Sequence, residues 1–393
     1  MKAILIKKDL FLKKMFKRYY YSSVTKIMSP IRLAEREIGY LTFDPEKMIR
    51  HLHLKNEGEL RALILHEVPK SVYYSSAYYD DPSAPINTRV WKGGDLIFDI
   101  DLDHLPLVGD YIVTFCLCNN CKGYFEKVEG KVCPNCNSHL LEEIKMVTKD
   151  GLEYCKKEAI KLIEVLEQDF GILEVGFRTY FSGKRGFHVS VESSSYESAD
   201  QAFRIELSNY MTMNGFKLTR ILSKNISYES QIHAFPIPST KGWLGRISRK
   251  LYLDKLKCSV DNLDEDYPKN LSIFFSNNKF EDVQQTLESI VKELGIGIDV
   301  AVTTDIHRIF RLPNTLHGDT GLLKKKIDNI DSFSPLTDAV AFSEEPIKIH
   351  VFYSPQFELK EQLFGPYKNQ KVNLPEMAAV FLVAFGLAEP LEA

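Results

Sequence analysis

The stretch LIFDIDLDHLP, residues 96–106, places three carboxylates at every second position of an otherwise apolar run. These are Asp99, Asp101 and Asp103. A β-strand points alternate side chains to the same face. The sequence therefore predicts a strand that buries its apolar residues and carries a row of carboxylates, whose mutual repulsion needs a physical reason.

Two interpretations of this acidic row are open from the residues alone. One is the solvent-exposed end of a surface strand. The other is a divalent-metal site, since Mg²⁺ takes oxygen ligands and two carboxylates two residues apart on a strand can share them. Paired ions of this kind hold the attacking and leaving oxygens of a phosphoryl transfer in line.

Length and composition are those of an ordinary globular protein. The chain has 393 residues, 44% hydrophobic and 26% charged, with a formal net charge of −3. Chains of this length commonly form two or three lobes, and the near-neutral balance does not indicate a protein that coats nucleic acid. The best candidate for a membrane span, AAVFLVAFGLA at 378–388, is shorter than the roughly 20 residues required and predicts a buried helix.

Local patterns predict both helices and strands along the chain. Apolar residues at helical spacing predict helices, and runs of β-branched and aromatic residues predict strands. Residues 195–290 carry fewer signals and are expected to be largely helical. The predicted helices are 7–22, 57–66 and 151–170, and the predicted strands are 72–79, a hairpin within 175–192, and 346–356.

Cysteines concentrate in one short segment, CLCNNCKGYFEKVEGKVCPNC at 116–136. Two Cys-x-x-Cys pairs within it have the spacing of a tetrahedral zinc site. A cluster of reduced cysteines without metal and an iron–sulfur site are the alternatives. The expected ligands are Cys118, Cys121, Cys133 and Cys136, and Cys116 lies close enough to substitute for Cys118.

Two further segments carry groups suited to a phosphorylated ligand. In YFSGKRGFHV, 180–189, cations gather around a turn with two glycines, which would suit a triphosphate or form an ordinary basic hairpin turn. In IDVAVTTDIHRIFRLPNTLHGDTG, 298–321, Arg308 and Arg311 share one face if the segment is helical, and His317 precedes a glycine.

In this order, the segments resemble the catalytic small subunit of archaeal and eukaryotic replicative DNA primase. The resemblance rests on FDID at 98–101, FSGKRGFH at 181–188, the run from Asp299 to RLPNTLHG at 311–318, and the cysteine segment after the first acidic pair. It extends from about residue 10 to about residue 325, with a weaker extension into the C-terminal helix.

The resemblance implies an α+β fold of the primase catalytic (prim) type. A mixed β-sheet with flanking helices would carry the acidic residues, the zinc knuckle at 116–136 would lie to one side, and residues 195–290 would be a variable, mostly helical insertion. We expect residues 1–345 to form the catalytic domain and 346–393 to form a strand and helix segment packed on it.

The activity implied by the resemblance is DNA-dependent RNA synthesis. Such an enzyme makes short primers on single-stranded DNA by two-metal-ion nucleotidyl transfer with Mg²⁺ or Mn²⁺. Two alternatives remain open from the sequence. One is a primase-polymerase or repair polymerase of the same superfamily that prefers dNTPs, and the other is a non-catalytic zinc-ribbon adaptor that binds DNA.

The resemblance also assigns roles to single residues. Its acidic triad falls on Asp99, Asp101 and Asp299, and Asp299 is preferred to Asp305 because it stands eighteen residues before His317, as in the family. Arg308 and Arg311 match family positions without an assigned contact. The residues expected to contact the nucleotide are Ser182, Lys184, Arg185, His188, His317 and, from the segment MIRHL, Arg50.

One position departs from the family pattern. Where the family usually has lysine after His-Gly, this chain has Asp319. The loss of a cation there would weaken nucleotide binding unless Lys324 or Lys325 reaches the triphosphate.

Partners and location follow from the same resemblance. The implied partners are an iron–sulfur-containing primase large subunit, single-stranded DNA template and NTPs, with dNTPs as the alternative and no membrane. Only Cys155 and Cys258 lie outside the knuckle, so this chain lacks a second four-cysteine set for such a cluster. The charged N-terminal region is not typical of a secretory signal, and we expect a cytoplasmic archaeal protein, or a nuclear one if eukaryotic.

Overall fold

The computed structural model describes residues 2–106, 108–126, 128, 130–173, 176–225, 227–256 and 263–391. Helices and strands alternate irregularly along the chain, as expected for a fold that mixes both. The first half contains α1 (Lys2–Ser23), β1 (Glu37–Leu41), β2 (Met48–His53), α2 (Glu57–Glu67), β3 (Ser71–Ser75), β4 (Ala77–Tyr79), β5 (Trp91–Gly94), β6 (Leu96–Asp101), β7 (Ile112–Cys118), β8 (Tyr124–Phe125), β9 (Leu141–Val147) and α3 (Lys149–Phe170).

The second half begins with a hairpin, continues through a run of helices, and ends in strands around one buried helix. It contains β10 (Phe177–Phe181), β11 (Gly186–Val191), α4 (Gln201–Thr212), α5 (Tyr228–Ala234), α6 (Gly242–Asp254), α7 (Leu263–Asn277), α8 (Phe280–Leu294), α9 (Val300–Thr304), β12 (Ile309–Arg311), β13 (Lys325–Ile327), α10 (Pro335–Asp338), β14 (Pro346–Ser354), β15 (Phe357–Leu359), β16 (Gln362–Phe364), β17 (Tyr367–Pro375), α11 (Glu376–Ala384) and β18 (Ala388–Pro390).

Two four-stranded sheets lie at the centre of the molecule. All their strand pairs are antiparallel, so the expectation of a mixed sheet is wrong, because each strand runs opposite to the strands beside it. Their strand orders are β12-β3-β1-β2 and β13-β10-β11-β6. The side chains of the two sheets meet, because the ring of His188 on β11 lies 5.3 Å from that of Phe310 on β12. The expected hairpin is confirmed as β10 and β11, and β11 pairs next with the acidic strand β6.

Helix α3 covers one face of the sheet that carries the carboxylates. Thr148 caps its N-terminus by accepting a hydrogen bond from the Gly151 amide, and Gly171 ends it in the left-handed region at φ 65°. Its apolar stripe, including Leu152, Ala159 and Leu166, is buried, and the helix contacts both β6 and β11. Burial of this stripe therefore fixes the position of the acidic strand β6 relative to α3.

The cysteine segment and the C-terminal segment form smaller units beside this centre. Strands β8, β7 and β9 form one antiparallel sheet, and β17, β14 and β18 form another. The apolar run near the C-terminus is the buried helix α11, which packs against α1 and β14. Among the described residues, no helix is both long and apolar enough to cross a bilayer.

Candidate active site

Strand β6 carries Asp99 and Asp101 on the same face. Both side chains are half-buried, whereas Phe98 and Ile100 between and beside them are fully buried. In the register with β11, Asp99 lies opposite His188 and Asp101 lies opposite Gly186. The alternation predicted from the sequence is therefore present, with the carboxylates on one face and the apolar residues on the other.

Asp299 joins this pair from a distant part of the chain. Its backbone amide donates to the carbonyl oxygen of Asp99 at 2.7 Å. Its side chain caps the short helix α9 by accepting from the Val302 amide at 3.0 Å. Asp305, the rejected alternative, lies at the other end of α9 and accepts from the His307 amide at 2.9 Å.

The pKa of Asp99 responds to burial and to the charges of the other two carboxylates. Burial, together with the negative charges of Asp101 and Asp299, raises the pKa of Asp99 to about 7. A divalent cation fits these residues, because carboxylate oxygens are its preferred ligands and its charge would remove the repulsion.

Each carboxylate of the triad also has a basic neighbour. The Asp99 carboxylate lies 3.3 Å from His188 Nε2, and the Asp101 carboxylate lies 3.4 Å from Arg185 Nη2. The Asp299 carboxylate lies 3.0 Å from His104 Nε2. His104 was not predicted as a site residue from the sequence, although it directly follows Asp103 at the end of the acidic row.

Asp103 is not part of the acidic strand. The strand ends at Asp101, and a 3₁₀ turn at Leu102–His104 follows. The prediction of one strand carrying all three carboxylates is therefore wrong at its third position. Asp103 pairs with Arg185 Nη1 at 2.5 Å, so it shares the guanidinium group that Asp101 contacts.

The SGKRG turn between β10 and β11 is tight, as its two glycines predict. Ser182 Oγ accepts hydrogen bonds from the amides of Lys184 and Gly186 at 3.4 and 3.2 Å. A Cβ at Gly186 would lie 1.9 Å from the carbonyl oxygen of Ile100, so only glycine allows β11 to approach β6 here. Ser182 therefore shapes this turn, because its hydroxyl oxygen accepts from two of the turn's backbone amides.

The loop HGDTG, 317–321, packs against that turn. Thr320 Oγ1 donates to the Gly183 carbonyl oxygen at 2.6 Å. His317 Nδ1 accepts from the Asp319 amide at 3.1 Å, so Nε2 carries the ring proton. Burial and the positive charge of Arg311 lower the pKa of His317 well below 6.5, so the neutral ring can donate from Nε2.

The cations of this region are held by specific contacts. Lys184 Nζ lies 2.8 Å from Asp319 Oδ2, so Asp319 pairs with a predicted nucleotide contact. Lys324 is buried, with Nζ 4.8 Å from the ring centre of Tyr180, and burial and Arg311 lower its pKa to about 7. Lys325 is half-buried on β13.

Arg308 and Arg311 do not share a helical face. Arg308 precedes β12 and Arg311 ends it, so the helix that would have placed the two arginines on one face is not formed here. The cause is a turn after Asp305, which starts a short strand that pairs with β3. Arg311 Nη1 donates to the Ser182 carbonyl oxygen at 2.9 Å, which ties β12 to the SGKRG turn.

Arg50 lies on β2 and belongs to a buried ionic cluster. Its Nε and Nη2 lie 2.7 and 3.2 Å from the two carboxylate oxygens of Glu37. Arg89 Nη1 contacts the same carboxylate at 2.6 Å, and Arg89 and Glu37 are fully buried. Glu37 and Arg89 were not predicted from the sequence. Glu37 lies 13 residues from Arg50 and 52 residues from Arg89, and no short sequence pattern indicates pairs at such separations.

The cysteine segment forms a compact four-thiol cluster. The sulfur atoms of Cys118, Cys121, Cys133 and Cys136 all lie within 4.8 Å of one another. Two similar turns place them, with the Lys122 amide donating to the Cys118 carbonyl and the Asn137 amide to the Cys133 carbonyl. Such a set could bind zinc.

Cys116, the proposed substitute, lies outside this group and is half-buried on β7. Cys118, two residues further along β7, is the member that joins the cluster. Cys155 is buried within α3, and Cys258 falls outside the described residues.

Replacing Asp99 with asparagine is expected to stabilise the protein in buffer without added Mg²⁺ or Mn²⁺, by about 1–3 kcal/mol near pH 8. Because the pKa of Asp99 is raised by folding, the stability that this group contributes is present below about pH 4 and is lost as the pH rises to about 7. Asparagine stays neutral, so its advantage grows over that window. Urea unfolding near pH 5 and pH 8 measures it, and an equal effect at both would contradict the interpretation.

Comparison with known proteins places the chain in one family. The family described as DNA primase small subunit matches residues 131–328. The DNA primase small subunit PriS of Nitrosopumilus maritimus is 35% identical over 96% of this chain and 97% of its own length. The PriS protein of Cenarchaeum symbiosum is 34% identical, over 96% and 98%.

A solved structure, the polymerase domain of Mycobacterium tuberculosis ligase D in complex with DNA, aligns with a TM-score of 0.37 and 10% identity, covering 81% of this chain and 83% of its own. The sequence relatives, which match nearly end to end, decide the assignment. The chain belongs to the DNA primase small subunit family.

Proposed function

We propose that this chain is the catalytic subunit of a DNA primase that makes short RNA primers on single-stranded DNA. The observation that carries the proposal is the meeting of Asp99 and Asp101 on β6 with Asp299 at the start of α9. Three half-buried carboxylates from two distant segments repel one another, and a bound divalent cation would offset this repulsion. The family relationship supports the same activity.

The three carboxylates would hold Mg²⁺ or Mn²⁺. When bound there, such ions supply stabilisation of the attacking 3′-hydroxyl and of the charge on the leaving pyrophosphate. Asp101 would then turn from Arg185, and Asp299 from His104, since one carboxylate oxygen of each is now shared with these neighbours. Arg185 would keep Asp103 as a partner, and the Nη2 group that Asp101 leaves would face the negative charge of a nucleotide.

The turn and loop beside the carboxylates would hold the triphosphate. Ser182 sets the shape of the turn, and neutral His317 can donate from Nε2 to a phosphate oxygen. His188, beside Asp99, has a pKa lowered well below 6.5 by burial and by Lys324, so it too would act as a neutral hydrogen-bonding group. The proposed nucleotide contacts are Ser182, Lys184, Arg185, His188, His317 and Arg50.

We assign zinc to the cluster Cys118, Cys121, Cys133 and Cys136, with a structural role. Four thiolates fill the tetrahedral positions that zinc prefers, so no position remains for a substrate. The metal would fix the two turns at the end of the sheet formed by β7, β8 and β9.

The proposed architecture is a prim-type catalytic domain at 1–345, with the helices within 195–290 as an insertion and 346–393 packed on it. Support comes from the contacts of α11 and β18 with α1. Membership of a small-subunit family implies a primase large subunit as partner, and we expect that subunit to carry the iron–sulfur cluster. Single-stranded DNA and NTPs complete the proposed set of ligands.

A primer-synthesis assay tests this proposal. The purified chain would be mixed with single-stranded DNA, Mg²⁺ or Mn²⁺, and labelled NTPs or dNTPs, with and without the large subunit. Short RNA products that depend on the template are expected. A strict preference for dNTPs would favour a repair polymerase or primase-polymerase. DNA binding without any synthesis, even with the large subunit present, would favour a non-catalytic adaptor.

A further inference from the structure

The two loops of the proposed triphosphate site, SGKRG and HGDTG, are held together by hydrogen bonds from side chains to backbone carbonyls. Thr320 Oγ1 from the HGDTG loop donates to the Gly183 carbonyl, and Arg311 donates to the Ser182 carbonyl. A Cβ on Gly183 would lie 3.2 Å from His317 Cβ, which shows how closely the loops approach. At the solvent-exposed edge of these loops, Lys184 and Asp319 therefore cannot easily be separated by movement of one loop away from the other.

At this edge, Asp319 joins two lysines. Its Oδ2 lies 2.8 Å from Lys184 Nζ, and its Oδ1 lies 3.5 Å from Lys70 Nζ. Lys70 in turn lies 2.5 Å from Glu46. The four side chains form a row of alternating charges whose sum is zero. Asp319 is 47% exposed and Lys184 is 27% exposed, so a soluble ligand can reach this ion pair.

Asp319 stays negatively charged at neutral pH. Burial alone would raise its pKa, but the interactions with His317 and with Lys184 and Lys70 outweigh burial and lower the pKa below its ordinary value. A triphosphate that approaches Lys184 therefore meets a competing anion already bound to it.

We propose that Asp319 limits the affinity of this enzyme for nucleotide by holding Lys184 in an ion pair that the triphosphate must displace. The inference rests on the proposed function, because it takes Lys184 as a triphosphate contact. Lys70 lies close enough to hold the Asp319 carboxylate when Lys184 moves to the phosphate. The exchange costs binding energy, since Lys184 gives up one charged partner to gain another.

The ion pair of Asp319 with Lys184 should respond to metal binding differently from the ion pair of Asp101 with Arg185. Asp101 is a proposed metal ligand, so loading with Mg²⁺ would draw its carboxylate away from Arg185. Asp319 lies in the HGDTG loop, whereas the three carboxylates lie on β6 and at the start of α9. Metal binding therefore removes one of the two carboxylates that pair with Arg185 but leaves the pair of Lys184 and Asp319 intact, which makes Asp319 a separate determinant of the KM for nucleotide.

The Asp319→Asn protein is expected to show a KM for ATP about three- to tenfold lower than the wild type, with kcat changed by less than about twofold. Loss of the negative charge leaves Lys184 free to bind phosphate without first breaking an ion pair. Steady-state primer extension on a primed single-stranded template, with ATP as the varied nucleotide, gives both constants.

Two further proteins complete the experiment. Asp328→Asn is the matched control, because Asp328 pairs with Lys326 at 2.8 Å on the exposed surface outside the two loops. It should leave the KM unchanged. In a Lys184→Met background, the effect of Asp319→Asn should shrink to less than about twofold, because the lysine through which Asp319 acts is gone.

The outcomes separate this inference from the proposed function. Wild-type protein that makes no primers, alone or with the large subunit, would overturn the proposed function. Wild-type synthesis with a KM that is unchanged or raised by Asp319→Asn would overturn only the role of Asp319. An equal fall in KM in the Lys184→Met background would also overturn it, since Asp319 would then repel the nucleotide directly.

Discussion

The Asp101→Asn protein is expected to make primers at least about a thousandfold more slowly than the wild type. Asp101 ends β6 on the face that it shares with Asp99. An amide in its place cannot supply the negative charge that binds Mg²⁺. The fold should persist, because removing one of three mutually repelling carboxylates relieves strain in the metal-free protein. The rate of dinucleotide formation on single-stranded DNA is the measurement.

Asp103→Asn is the control for this change. It removes the same charge two residues away and breaks a contact with the same Arg185. Because Asp103 lies in the 3₁₀ turn beyond the strand, this protein should keep activity within about tenfold of the wild type. Thermal unfolding of both variants checks the fold. Full activity in Asp101→Asn, or equal losses in the two variants, would contradict the assignment of the triad.

The second large effect is expected at the cysteine cluster. The Cys133→Ser protein should lose its zinc and with it several kcal/mol of local stability, on the order seen for structural zinc sites. Cys133 is fully buried among the other three thiols. Zinc content by mass spectrometry and protease sensitivity of residues 112–147 measure the loss.

Cys116→Ser is the matched control at the cluster. Cys116 lies on β7 with its backbone paired to Phe125 and Glu143, and its thiol is outside the four-sulfur group. The variant should keep the zinc content of the wild type. Zinc lost from Cys116→Ser and retained by a Cys118→Ser protein would show that Cys116 is the ligand instead.

The elements that the sequence predicted correctly have local causes. The helix predicted at 151–170 is present as 149–170, and its apolar stripe and terminal glycine are close in the chain. The hairpin of β10 and β11 follows from two runs of strand-forming residues around a glycine turn. The acidic row, the cysteine pairs and the helix α11 were likewise visible as short patterns, because their geometry depends on neighbours.

The features that the sequence did not reveal depend on distant contacts. The strand LIFDID ends at Asp101, where a 3₁₀ turn buries Leu102 in the core. In that turn Asp103 pairs with Arg185, which lies 82 positions further along the chain. The pairing of Lys184 with Asp319 joins residues 135 positions apart. Arg308 and Arg311 looked helical by spacing, but pairing of β12 with β3 overrides that local preference. Such partners become visible only once the two sheets are assembled.

The most direct test of the central claim is Mn²⁺ binding measured by electron paramagnetic resonance, with ATP present, in the wild type and in the Asp99→Asn/Asp101→Asn protein. The two-metal site predicts about two nucleotide-dependent Mn²⁺ ions per wild-type chain. The double variant should lose most of this binding and all primer synthesis while keeping its zinc. Equal Mn²⁺ binding by both proteins would contradict the account, because the catalytic metals would then lie elsewhere.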